Sequence, residues 1–440
     1  MNTYWCELAW LGGEQVEAGV LLEIVDDRIA GVVPGTPGPV PGAETLNGLT
    51  IPGLVNAHSH AFQRALRGRT QGGAGSFWSW RERMYELAAT LDPDSYHRLA
   101  RAVFGEMALA GITHVGEFHY LHQAPGGKPY ADPNEMGKAL IEAAAEAGLR
   151  LSLIDACYLA GGIGKPLEGA QLRFGDRDAA AWVERVAELP ENRALRILGA
   201  VHSVRAVPPD QMGTVAEWVR HQGRELHVHL SEQPAENQAC RETYGKTPTE
   251  ILAANGVLHD NLVAVHGTHL EPSDLALLAG AGARVCLCPT TERDLADGIG
   301  RAAAMREAGI ELALGSDSNA FVDLFEEARA IELDERLASG ARGAHRAAEL
   351  LGAATAGGAL ALCWPGAGSL AVAKLADLAV LDLDSVRLAG TLTEDLLDAI
   401  VFAAAPADVR HVMMGGRWIV RDGAHVSLDV AGELAGAILR

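Results

Sequence analysis

Eight times between residues 50 and 337, a short apolar run is followed by a longer segment with helical spacing. The runs span 50–55, 113–118, 149–157, 195–201, 225–230, 262–265, 284–288 and 311–314. The segments paired with them span 94–110, 134–147, 176–189, 210–222, a stretch reaching 255, then 272–279, 301–308 and 323–337. Asp94 is placed to cap the first helix and Gly111 to stop it, and Gly148 stops the second. Runs of this length read as buried strands. Parallel strands need crossover helices, and eight such units close into an α/β (β/α)8 barrel of the TIM type. A chain of 440 residues with 48% hydrophobic content can fill such a core.

The two ends have a different texture. Residues 20–25 and 28–33 read as strands flanking the turn Asp26-Asp27, and a Pro/Gly-rich loop follows over 34–42. Near the other end, 376–382 reads as a strand, and 411–414 pairs with 417–420 across Gly415-Gly416. We expect a small β-sandwich domain from residues 1–50 and 367–440, and a barrel over 51–366. Residues 67–91, with Trp78, Trp80 and several arginines, read as a long loop. The uncharged stretch 350–373 is rich in Ala and Gly and interrupted by Pro365, so it reads as helix plus turn rather than a membrane span.

A net charge of −21 disfavours nucleic-acid backbones and anionic membranes, and leaves room for a small anionic substrate only beside local arginines. The six cysteines are scattered without a CxxC pair, which excludes a disulfide framework and a zinc finger; Cys286 and Cys288 read as core. The first residues lack a basic segment followed by an apolar run, so a cytoplasmic location is expected.

In such a barrel the active site lies at the C-terminal strand ends. The first run ends in Asn56-Ala57-His58-Ser59-His60, where residues two apart point the same way. The fifth ends at His229 with Glu232 three residues on, the sixth in His266-Gly267-Thr268-His269, and the eighth in Gly315-Ser316-Asp317-Ser318. Each alone has a plain structural reading: a polar loop, a hydrogen-bonded barrel histidine, a helix cap at Asp317. Their joint placement at four strand ends favours a metal site with nitrogen and oxygen donors, suited to Zn²⁺ or Fe²⁺.

This constellation resembles the amidohydrolase superfamily over essentially the whole chain. Pro52-Gly53-Leu54-Val55-Asn56-Ala57-His58-Ser59-His60 is similar to its first-strand motif, and Lys374-Leu375-Ala376-Asp377-Leu378-Ala379-Val380-Leu381-Asp382 to its return strand. Many members carry a metal-bridging lysine at the end of strand four, but here no lysine occurs between Lys165 and Lys246, which points to one metal. The HxxE spacing of His229 and Glu232 resembles the deaminase branch. Within it, His60-Ala61-Phe62-Gln63-Arg64-Ala65-Leu66, Ser76-Phe77-Trp78-Ser79-Trp80-Arg81, Glu117-Phe118-His119-Tyr120 and His202-Ser203-Val204-Arg205-Ala206-Val207 resemble the formimidoylglutamate deiminases. Residues 319–324 depart from that pattern.

The resemblance implies hydrolysis of a formimino group to a formyl group and ammonia on a glutamate-like substrate. It implies one divalent metal, Zn²⁺ or else Fe²⁺, held by His58, His60, His229 and Asp317. Asp317 and His266 would deprotonate the attacking water, His266 would also stabilise the tetrahedral intermediate, and Glu232 would shuttle the proton. His269 is the lesser candidate. An acidic substrate needs guanidinium forks, for which Arg81 and Arg205 are candidates, with Gln63, Tyr120 and His202 as hydrogen-bonding partners. Trp78 and Trp80 are expected to pack or form a lid. Family analogy suggests a homodimer. Three other readings stay open: a ring deaminase for a nucleobase or related heterocycle, a silent barrel that serves as a binding protein, and a two-metal hydrolase of cyclic amides.

Overall fold

The computed structural model describes residues 1–72 and 75–438. Eight strands form one parallel sheet in chain order: β5 (Leu54–Ser59), β6 (Ile112–His119), β7 (Arg150–Cys157), β8 (Leu195–Ser203), β9 (Leu226–Leu230), β10 (Leu262–His266), β11 (Arg284–Leu287) and β12 (Leu312–Leu314). Every residue of β5, β6 and β7 is buried, as befits strands covered on both faces. The seam between first and last strands closes through backbone bonds. Asp317 N–H donates to the His58 carbonyl at 3.0 Å, and His60 N–H donates to the Asp317 carbonyl at 2.8 Å. The eight expected strand units are thus a (β/α)8 barrel.

The remaining strands come from both ends of the chain: β1 (Asn2–Trp10), β2 (Val16–Val25), β3 (Arg28–Val33), β4 (Glu44–Pro52), then β13 (Leu378–Leu381), β14 (Val409–Met414), β15 (Arg417–Arg421) and β16 (Ala424–His425). They form one mixed sheet in the order β16-β15-β14-β13-β4-β1-β2-β3. Cys6, Val20, Leu22, Ile24, Leu378 and Val380 share a second small core on it.

The run 50–55 divides between the two sheets. Thr50 and Ile51 belong to β4, which runs antiparallel to β13 with Pro52 opposite Leu378. Gly53 is the break: its N–H donates to the Asp377 carbonyl, and a Cβ there would lie 2.3 Å from the Thr113 hydroxyl oxygen. Beneath the same junction Arg150 of β7 is 2% exposed and donates to the Asp377 carboxylate at 3.0 Å.

The expected loop 67–91 is corrected in part. A helix occupies Phe77–Thr90, with the Ser76 N–H bonded to the Ser79 hydroxyl at its start. Its buried residues are Phe77, Met84 and Ala88, a stripe too thin for apolar spacing to reveal among so many polar and aromatic neighbours. Residues 73 and 74 of that stretch lie outside the described residues. The uncharged stretch near residue 350 forms short helical pieces from Ala347 to Ala361, with Gly358 close against Val55 of β5. Among the described residues no helix is long and apolar enough to cross a membrane. Cys286 and Cys288 are buried in the barrel core.

Candidate active site

Four residues other than glycine at the strand ends take left-handed backbone angles: Ser231 (φ 50°), His266 (φ 70°), Asp317 (φ 44°) and Asn319 (φ 54°). Such angles are costly for residues with a Cβ and gather where function overrides local preference.

Four donor atoms meet at the barrel mouth. His58 Nε2 lies 3.2 Å from His60 Nε2 and 3.1 Å from His229 Nε2. Asp317 Oδ1 lies 3.2 Å from both His58 Nε2 and His60 Nε2. The Nδ1–H of His60 donates to the Phe118 carbonyl and that of His229 to the His202 carbonyl, each at 3.0 Å. Those bonds fix the tautomer, so two Nε2 lone pairs converge without protons between them. Burial lowers His58 to about 3 and holds His229 well below its ordinary value, which keeps both rings neutral and ready to donate. Burial pushes Asp317 up, but the neighbouring His58, His60 and His266 prevail and hold it well below the usual carboxylate range. Four donors about 2.0–2.1 Å from an ion would stand roughly 3.3 Å apart at tetrahedral angles, so the cluster fits a divalent cation.

The cluster is braced from behind. Asn56 Nδ2 donates to Ser316 Oγ at 2.6 Å, Ser316 Oγ to Asn319 Oδ1 at 2.7 Å, and Asn319 Nδ2 to the His60 carbonyl at 3.0 Å. Glu117 accepts from Ser59 Oγ and from the Ala61 N–H, and burial raises it to about 8. A Cβ at Gly315 would lie 2.7 Å from both Cβ and the carbonyl oxygen of His58. Gly315→Ala should therefore displace His58 and cost about 1–3 kcal/mol of stability. Metal content and thermal melting measured together check this, and full metal content at an unchanged melting point would contradict it.

Glu232 and His266 stand beside the cluster, with His266 Nε2 3.9 Å from Glu232 Oε1. Burial alone would lower His266, but Glu232, a bond to Glu292 and Asp317 together raise it to about 10. A cavity of about 330 Å³ opens over these groups, and Gln63, Arg81, Tyr120, His202 and Arg205 line it together with His60, His229, Glu232, His266 and Asp317. Arg205 Nη2 is 3.4 Å from Glu232 Oε2, and its Nε is 3.5 Å from Glu236 Oε1. Arg81 lies over the Trp78 ring at 4.5 Å and the Tyr85 ring at 5.5 Å. Gln63 Nε2 donates to the Tyr120 hydroxyl at 3.1 Å. Trp78 and Trp80 line the outer wall. His269 turns away and bonds the Asp297 carbonyl at 2.7 Å.

Sequence reasoning missed Tyr158, Lys165 and Glu236, which also line the cavity. Tyr158 directly follows the third strand, and Glu236 sits one helical turn beyond Glu232; both signals were available in principle. A second buried group, His119, His122 and Asp155, is structural. Asp155 is claimed by Arg185 at 2.8 Å through both oxygens and by Trp182 Nε1 at 2.9 Å, and His122 Nε2 by the Ala156 carbonyl.

Known proteins are similar to this chain in sequence and fold. Residues 49–419 match the family model described as the amidohydrolase family. The chain is 39% identical over 438 residues to formimidoylglutamate deiminase of Pseudomonas aeruginosa, covering 94% of each chain. A crystal structure of an amidohydrolase from Brucella melitensis superposes with a TM-score of 0.92 at 30% identity, covering 100% of this chain and 99% of that one. An adenosine deaminase from Xanthomonas campestris with bound zinc shares the fold, at TM-score 0.84 and 23% identity over 99% of this chain and 96% of that one.

Proposed function

The chain belongs to the amidohydrolase family, and from that premise we propose that it hydrolyses N-formimino-L-glutamate to N-formyl-L-glutamate and ammonia. The observation that carries this reading is the cavity itself. Two guanidinium groups, Arg81 and Arg205, open into the same space as a single set of four metal donors. A substrate with two carboxylates and one amidine needs both features at once.

His58, His60, His229 and Asp317 would hold a divalent ion, zinc in this proposal, which when bound would supply a water acidified toward neutrality. Asp317 turns Oδ1 to His58 and His60, which leaves its second oxygen to accept the water's proton. The water oxygen bonds to the formimino carbon and the C=N electron pair moves to nitrogen. Glu232 protonates that nitrogen, then takes the proton of the new hydroxyl and passes it to the same nitrogen. The C=O bond forms as the C–N bond breaks, ammonia leaves, and the proton held by Asp317 returns to Glu232. Of the two roles expected for His266, its raised basicity favours the second: an imidazolium that stabilises charge at the tetrahedral carbon's oxygen. Arg205 and Arg81 grip the carboxylates, while Gln63, Tyr120 and the neutral His202 orient the chain between them. Burial and the nearby Arg205 keep His202 well below its ordinary pKa.

Ammonia release from N-formimino-L-glutamate, compared with guanine, cytosine and adenosine, tests the proposal. Turnover of the formimino substrate is expected and turnover of the rings is not. Arg205→Ala should raise KM for the formimino substrate about 100-fold, the loss of one charge-assisted bidentate contact. Ring deamination unaffected by that substitution would favour the ring-deaminase reading instead.

A further inference from the structure

The motif Cys288-Pro289-Thr290-Thr291-Glu292 follows β11 and has no part in the reaction described so far. Glu292 is 4% exposed in a short helix, Pro289–Asp294. Its Oε1 accepts the backbone N–H of Cys288 at 3.0 Å and lies 3.4 Å from His266 Nδ1. The helix is itself anchored, because Glu327 accepts both the N–H and the hydroxyl of Thr290. Glu292 does not line the cavity, whereas His266 does.

We propose that Glu292 is a positioning residue for His266, forming with it a carboxylate–imidazole pair that aims Nε2 at the reacting centre. A carboxylate that claims Nδ1–H fixes the tautomer and ring angle of a histidine and supports its charged form. Two features here make the aim specific. The backbone of His266 is held at φ 70°, so the strand alone does not set a relaxed orientation. The Cys288 N–H holds the receiving oxygen in place, so the carboxylate cannot swing away without losing a buried bond. The proposal rests on the deaminase reading for its kinetic consequence, but the pairing can be observed without any substrate.

The test uses the metal-loaded enzyme and two variants. Glu292→Gln keeps the shape and an acceptor oxygen but removes the charge, and Glu292→Ala removes both. With N-formimino-L-glutamate, Glu292→Gln should lose about 10- to 100-fold in kcat, part of the roughly 10²–10³ that one charge-stabilising donor is worth. KM should stay within about threefold and metal content at the wild-type level. Glu292→Ala should lose more. Proton NMR of wild-type protein should show a downfield ring N–H that is absent from both His266→Gln and Glu292→Ala. If kcat in Glu292→Gln stays near wild type with metal bound, or if kcat, KM and metal content all fail together, the positioning role is wrong. If the wild-type enzyme releases no ammonia at all, the functional reading fails, yet persistence of the ring proton in Glu292→Ala would still overturn the pairing on its own.

Discussion

Glu232→Gln should cut ammonia release from N-formimino-L-glutamate by about 10³- to 10⁴-fold while the protein keeps its metal. Glu232 is not one of the four converging donors, so its loss leaves the cage intact. Its two oxygens divide their contacts: Oε1 faces His266 at 3.9 Å and Oε2 faces Arg205 at 3.4 Å. Glutamine fits the same 6%-exposed site and can still accept from Arg205. What it cannot do is give a proton to the leaving nitrogen. A steady-state ammonia assay with metal analysis on the same sample decides the matter, and near-normal turnover with metal bound would refute the shuttle role.

Stripping the metal with a chelator should reduce activity to background, and added zinc should restore it. It should also lower the melting temperature by about 5 °C or more, since a ligand bound only by the folded state stabilises it by mass action. The reason is local. Without an ion, lone pairs on His60 and His229 face each other across His58, all buried. The stripped protein should also be acid-sensitive in a definite window. Burial holds folded His58 at about 3 against an ordinary value of 6.5. Between those pH values the unfolded chain binds a proton that the folded chain does not, so stability rises with pH across the window and is lost as pH falls. Melting curves of stripped and reloaded protein from pH 3 to 7 measure it; a flat profile for the stripped form would contradict the burial argument.

Much of this was legible before the fold was known, and the reasons are physical. Barrel strands buried on both faces are continuous apolar runs, and their polar side chains at the C-terminal ends stand out against them. His58, His60, His229, His266 and Asp317 were therefore visible as strand-end residues. The helix Phe77–Thr90 was not, because it buries only a narrow stripe and spends its aromatic residues on the cavity wall. The division of the run 50–55 was hidden as well. Both sheets are apolar there, and Gly53 matters only through Thr113 and Asp377, which are distant in sequence. Glu292 was invisible as a partner of His266 for the same reason: 26 residues separate them, and only the closure of the barrel brings them together. Asn319, in the stretch that departs from the family pattern, ties Ser316 to His60.

The junction at Gly53 also bears on how such a protein could be recombined. One residue separates the outer sheet from the strand that carries His58 and leads into His60; the Asp377 main chain holds that residue, and its carboxylate holds Arg150 of β7. A crossover drawn at that point would hand a foreign flank the job of setting the first two imidazoles. Exchange of parts between relatives is better tolerated in the loops at the cavity rim, where substrate preference can change while the ion's cage stays with its own sheet.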